Sequence, residues 1–109
     1  MKDKKNKIYF KLREDYFYKP EIKVIESMPD GYLYMNILLK MNLMSLETGS
    51  KLVLNHDVPI NAETLAALIN HKVGTVEKAI TIFQDLGLIK ILDDGTICMC
   101  NEDCVEVEE

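Results

Sequence analysis

Asn61–Met99 reads NAETLAALIN-HKVG-TVEKAITIFQDLG-LIKILDDGTICM, and the fold turns on how that stretch is parsed. Asn61 is a good N-cap, Glu63 sits in the first turn where a helix dipole favours an acid, and Leu65, Leu68 and Ile69 form one apolar side. Ala66 and Ala67 allow a neighbour to approach closely. His71–Gly74 is a turn. A second helix is predicted from about Val73 to Leu86, with Val73, Val76, Ala79, Ile80, Phe83 and Leu86 on its inner side and Gly87 as an αL cap. Leu88–Leu92 and Thr96–Cys100 are β-prone runs joined by Asp93-Asp94-Gly95, a strong hairpin signal. A two-residue turn at Asp94-Gly95 would pair Leu92 with Ile97, Ile91 with Cys98 and Ile89 with Cys100. The cysteines would then pack as small hydrophobes beside the isoleucines. A helix-turn-helix followed by a β-ribbon is the plan of a winged helix. The expected fold is therefore α+β and mainly helical: a winged helix-turn-helix with a C-terminal β-hairpin wing and a short N-terminal extension.

Upstream, Met1–Lys7 holds four lysines and one aspartate with no apolar face, and is expected to be a flexible basic arm. Ile8–Leu12 is β-prone. Pro20 can open a short helix, PEIKVIESM, with Ile22, Val24, Ile25 and Met28 inward, and Pro29-Asp30-Gly31 breaks it. Tyr32–Leu46 is apolar nearly all the way round, which predicts a helix buried on most sides, as central core or with part of its Met surface in a second subunit. Lys51–Leu54 reads as one short strand and Asn55–Ile60 as a loop. The organisation expected is arm 1–7, domain 8–100 and an acidic tail or linker over 101–109, where five acids in nine residues favour fraying.

A length of 109 residues bounds the chain to one domain with a modest core. No apolar run approaches the roughly 20 residues that span a bilayer, and the lysine-rich start lacks a secretory pattern; a cytoplasmic protein is expected. The net charge of −5 is unevenly spread, at +3 over residues 1–54 and −8 over residues 55–109. The half holding the helix pair is thus the acidic one, a poor start for displacing counterions from a phosphate backbone. Cys98, Cys100 and Cys104 are an odd set that fits a reducing compartment, and their C-x-C-x3-C spacing is not that of a zinc site. No metal and no cofactor are expected. Asp93 and Asp94 are neighbours in a turn rather than opposed carboxylates, no glycine-rich phosphate loop is present, and no Ser or Cys has a His base by pattern. An enzyme is not expected.

Taken in order, four motifs carry a family resemblance: K-L-x-x-D-Y-F near the start, I-K-V-I-E-S-M-P-D-G before the core helix, V-P-I-N-A-E-T-L-A-A-L-I-N-H, and T-V-E-K-A-I-T-I-F-Q-D-L-G-L-I-K-I-L-D-D-G-T-I. Over about Ile8–Met99 the chain resembles the N-terminal domain of phage replisome organizers, related to DnaD-like primosomal proteins. The resemblance implies a winged-helix fold and a role in starting phage or prophage DNA replication, by binding origin DNA and helping recruit helicase-loading machinery. In such proteins recruitment usually uses a further C-terminal region, for which there is no room after Cys104; the chain is expected to be a fragment or a short relative. Tyr9 stands where members often carry Trp, and Glu77 where the reading helix often begins T-V-R.

Two functions are carried forward. The first is binding of double-stranded DNA, with Lys72, Thr75, Lys78 and Thr81 on the outward side of the second helix, His71 at the turn, and the arm lysines Lys2, Lys4, Lys5 and Lys7. The lysines would hold phosphates while the threonines meet base edges or thymine methyls. Few cations lie near the motif, so a single domain is expected to bind weakly and to work as a homo-oligomer or on an array of sites. The second is a protein-interaction or dimerisation module of a replication complex, docking to a helicase loader or another replication protein with little DNA binding of its own.

Overall fold

A computed structural model of the chain describes residues 7–54, 58–100 and 105–108. The expected arm residues Lys2, Lys4 and Lys5, and likewise His56 and Cys104, lie outside the described residues. Among those described, the chain forms β1 (Lys7–Phe10), α1 (Pro20–Glu26), α2 (Gly31–Met44), β2 (Lys51–Leu54), β3 (Val58–Pro59), α3 (Ala62–Ile69), α4 (Val73–Asp85), β4 (Ile89–Ile91), β5 (Ile97–Met99) and β6 (Val105–Glu108). The fold is α+β: four helices against a four-stranded antiparallel sheet of order β3-β2-β5-β4.

α2 is the hub, touching α1, α3 and α4. Ile37, Leu38 and Met41 are buried on it, and the core continues through Ile22 and Ile25 of α1, Leu65 and Ile69 of α3, and Val76, Ala79 and Phe83 of α4. Leu52, Ile89, Ile97 and Met99 close it from the sheet. The all-round apolarity of α2 does not translate into all-round burial. Tyr32 is 74 % exposed and Leu43 54 %, so the helix has one broad inner face and two large apolar residues in water. Val24, Leu68 and Val73, assigned above to inner faces, are also exposed.

Local chemistry explains the helix ends. The Asn61 side chain accepts the Thr64 N–H at 2.8 Å, capping α3, and Asn70 ends it in the left-handed region at φ 64°. At the end of α4 the Leu88 N–H donates to the Phe83 carbonyl at 2.8 Å and the Gly87 N–H to that of Gln84 at 3.1 Å, with Gly87 at φ 77°. That is a Schellman cap, and it needs a residue that tolerates positive φ.

The hairpin register corrects the expectation. Ile91 pairs with Ile97, Lys90 with Cys98 and Ile89 with Met99, one residue away from the pairing that a two-residue turn would give. The loop has three residues, Asp93–Gly95, closed by the Leu92 N–H donating to the Thr96 carbonyl at 2.8 Å. Asp94 Oδ1 accepts the Thr96 N–H at 2.9 Å, and Gly95 sits at φ 89°. Hydrogen bonding from Thr96 holds the Asp94 carboxyl below its ordinary value, with Lys51 adding a smaller pull. A one-residue shift exchanges the two faces of a strand. Ile97 and Met99 therefore point into the core, while Cys98 lies half-buried between Lys51 and Lys90 in register and Cys100 is exposed.

The tail also departs from expectation. Rather than fraying throughout, Val105–Glu108 pairs antiparallel with β1, Lys7 opposite Glu108 and Phe10 opposite Val105, as a separate two-stranded ribbon.

Candidate nucleic-acid interface

α3, the Asn70–Lys72 turn and α4 form one corner of the molecule, and two side-chain bonds tie that corner to α2. Lys40 Nζ donates to the Ile69 carbonyl at 2.8 Å, and His71 Nε2 donates to Asn36 Oδ1 at 2.8 Å. Asn36 and Lys40 stand one turn apart on α2, so a single row of that helix holds the whole turn. Lys72 offers α4 no side-chain cap, leaving the first-turn N–H groups of α4 without one.

Of the residues assigned to DNA from the sequence, His71, Lys72, Thr75, Lys78 and Thr81 border two depressions that meet at Asp30. One, of about 640 Å³, is bordered by Asp30, Leu33, Asn70, His71, Lys72 and Thr75. The other, of about 450 Å³, is bordered by Met28, Pro29, Asp30, Tyr34, Lys78, Thr81 and Ile82. Lys72, Lys78 and Thr81 are exposed and Thr75 is half-buried. The Thr81 hydroxyl donates to the Glu77 carbonyl at 3.2 Å, which turns it partly back on its own helix. Lys7 opens β1 rather than lying beside α4 in sequence or strand pairing. Glu77 is exposed on α4, and Asp93 and Asp94 are exposed in the hairpin loop.

Sequence reading missed the contribution of the α1–α2 corner. Met28, Pro29 and Asp30 form a wall beside α4, and Pro29-Asp30-Gly31 had been legible only as a helix break. The local signal carries no information about which helix the corner meets.

His71 has a proton-linked role in the turn. Burial and, secondarily, the charge of Lys40 lower its pKa from the ordinary 6.5. The folded chain thus holds this proton less tightly than the unfolded one. The stability His71 contributes is complete at neutral pH and is lost as pH falls from about 6.5 through the lowered value. Between pH ~7.5 and ~5.5 the urea midpoint of the native chain is expected to fall further than that of His71→Gln. Parallel falls in both proteins would exclude this linkage.

Among the described residues no helix is long and apolar enough to cross a membrane, and no group of three or more His, Cys, Asp or Glu is placed to hold a metal ion. The chain matches the family model of the N-terminal phage replisome organiser over residues 9–109, and it belongs to that family. Membership places it in phage DNA replication, as the N-terminal domain of a replisome organiser. No curated protein and no solved structure matches it.

Proposed function

We propose that the chain is a winged-helix domain that binds double-stranded origin DNA of a phage or prophage in the cytoplasm, without catalysis, and helps recruit helicase-loading machinery. The observation that carries this reading is the run of Lys72, Thr75, Lys78 and Thr81 along α4, divided between two adjoining depressions at the molecular surface. The winged-helix reading is supported by the strand order β2-β5-β4 beside α2, α3 and α4, with β4-β5 as the wing. In the proposed complex α4 enters the major groove, its uncapped N-terminus and Lys72 hold a phosphate, Lys78 holds another, and Thr75 and Thr81 approach base edges. His71, whose single neutral N–H is already given to Asn36, orients the turn beside Lys72 rather than donating to the DNA itself. The arm residues Lys4, Lys5 and Lys7 supply further cations from the start of the chain.

Fluorescence anisotropy with duplexes tiled across the encoding gene tests this. Lys72→Ala and Lys78→Ala are each expected to weaken binding about three- to tenfold and to reduce the salt slope by about one. Binding that is unchanged between ~50 and ~300 mM salt, or in both variants, would show that this surface does not hold DNA.

A protein-interaction reading is favoured by a different observation. Leu12, Phe17, Tyr18 and Val24 of the N-terminal extension are all exposed, Tyr18 by 72 %. Exposed apolar residues grouped on one segment suit self-association or docking to a replication protein. Sedimentation showing a monomer at high concentration, together with clear DNA shifts, would remove the self-association arm of this reading.

A further inference from the structure

Asp30 borders both depressions, the one lined by Lys72 and Thr75 and the one lined by Lys78 and Thr81. It is exposed, it occupies the N-cap position of α2, and its side chain makes no capping hydrogen bond. The corner that carries it has little freedom. The Gly31 N–H donates to the Met28 carbonyl at 2.9 Å, and a Cβ on Gly31 would stand 2.4 Å from the Ile25 carbonyl oxygen, so α2 starts in backbone contact with α1. The backbone of Asp30 is therefore fixed where the two depressions meet, and its exposed carboxylate can turn only about its own side-chain bonds rather than swing away with a loop.

A carboxylate about 5 Å from a phosphate opposes binding by a few-fold in a water-like medium, and the effect fades as salt shortens the screening length. We propose that Asp30 is an affinity-setting residue of this interface: its charge opposes the DNA backbone between Lys72 and Lys78 and keeps the grip of a single domain weak. This rests on the DNA-binding reading above and adds one residue to it, acting against the ligand rather than for it. A weak single-domain grip makes occupancy depend on several copies engaged side by side, which favours clustered sites over isolated ones.

The test compares the full chain with Asp30→Asn and with Glu47→Gln. Glu47 is exposed beyond the far end of α2, and the 14 residues of that helix separate it from Asp30 by about 20 Å. The exposed Asp30 side chain makes no capping hydrogen bond to lose, so Asp30→Asn is expected to melt within a few degrees of the native chain. In anisotropy titrations on an origin-gene duplex and an unrelated duplex of equal length, Asp30→Asn is expected to bind both about three- to tenfold more tightly at ~50 mM salt, with the gain shrinking by ~300 mM, while Glu47→Gln matches the native chain. Equal affinity of Asp30→Asn and the native chain overturns the proposal while leaving DNA binding intact. Weaker binding by Asp30→Asn also overturns it, and assigns the carboxylate to a base amino group instead. An equal gain in Glu47→Gln overturns it in favour of bulk charge. Failure of every protein to bind either duplex overturns the DNA-binding reading together with it.

Discussion

Gly31→Ala is expected to lose a large share of the chain's folding stability. Gly31 is buried at the first position of α2, and its φ is not in the left-handed region, so the demand there is for space. An added Cβ meets the Ile25 carbonyl oxygen at 2.4 Å and the Glu26 Cα and carbonyl oxygen at 3.0 Å. All three are backbone atoms of α1, and no side-chain rotation relieves the clash. Relief requires α1 to lift from α2, which would strip cover from Ile22 and Ile25, both essentially fully buried. Forced overpacking of this kind costs on the order of 3 kcal/mol or more, against a total stability of about 5–15 kcal/mol for a domain. Gly74→Ala is the control. A Cβ there has nothing within 4 Å, and alanine favours a helix over glycine by up to about 1 kcal/mol. In thermal melts Gly31→Ala is expected to lose ten degrees or more, at about 4–8 °C per kcal/mol, while Gly74→Ala holds or gains. A Gly31→Ala melt that matches the native chain would show that the α1–α2 corner is looser than described.

Phe83→Ala is expected to be comparably damaging for the opposite reason, a void. Phe83 is 0 % exposed and is among the largest fully buried side chains, on the inner side of α4 in the cluster shared by helices and sheet. Truncating such a ring costs about 3–5 kcal/mol, through lost burial and the cavity left behind. Its carbonyl would still accept the Leu88 N–H, so the loss is one of packing and not of the helix cap. Val73→Ala, at an exposed position on the same helix, is expected to cost well under 1 kcal/mol. Urea unfolding separates the two, and similar midpoints for both variants would mean that α4 is seated differently against the core.

What was legible in the sequence was what neighbouring residues decide. The Asn61 cap, the turn after Ile69 and the glycine that ends α4 each follow from a few adjacent side chains. The hairpin was locatable, but its loop length was not. Asp94 bonding to the Thr96 amide stabilises a three-residue loop over a two-residue one, and that single choice turned Cys98 outward and Met99 inward. Burial was legible where a helix has one clear side, as at Val76, Ala79 and Phe83. It failed on α2, whose even apolarity cannot say that Tyr32 and Leu43 are the residues left in water. Of the candidate site, the α4 residues came from helical spacing. Asp30 and its neighbours were invisible because their place beside α4 is set by how α1 and α2 pack, not by anything within Pro29-Asp30-Gly31.

The ribbon of β1 and β6 carries a kinetic consequence. Its register joins Lys7 to Glu108, so each pair in it is separated by about 95–101 residues of chain. The entropy of closing a loop rises with its length, and such contacts are rewarded only after the intervening elements have condensed. Helices α3 and α4, four residues apart in the chain, need no such wait. Among the described residues the ribbon is therefore expected to assemble late and to open early, with its amides exchanging with solvent well before those of α2 in a native-state hydrogen-exchange measurement.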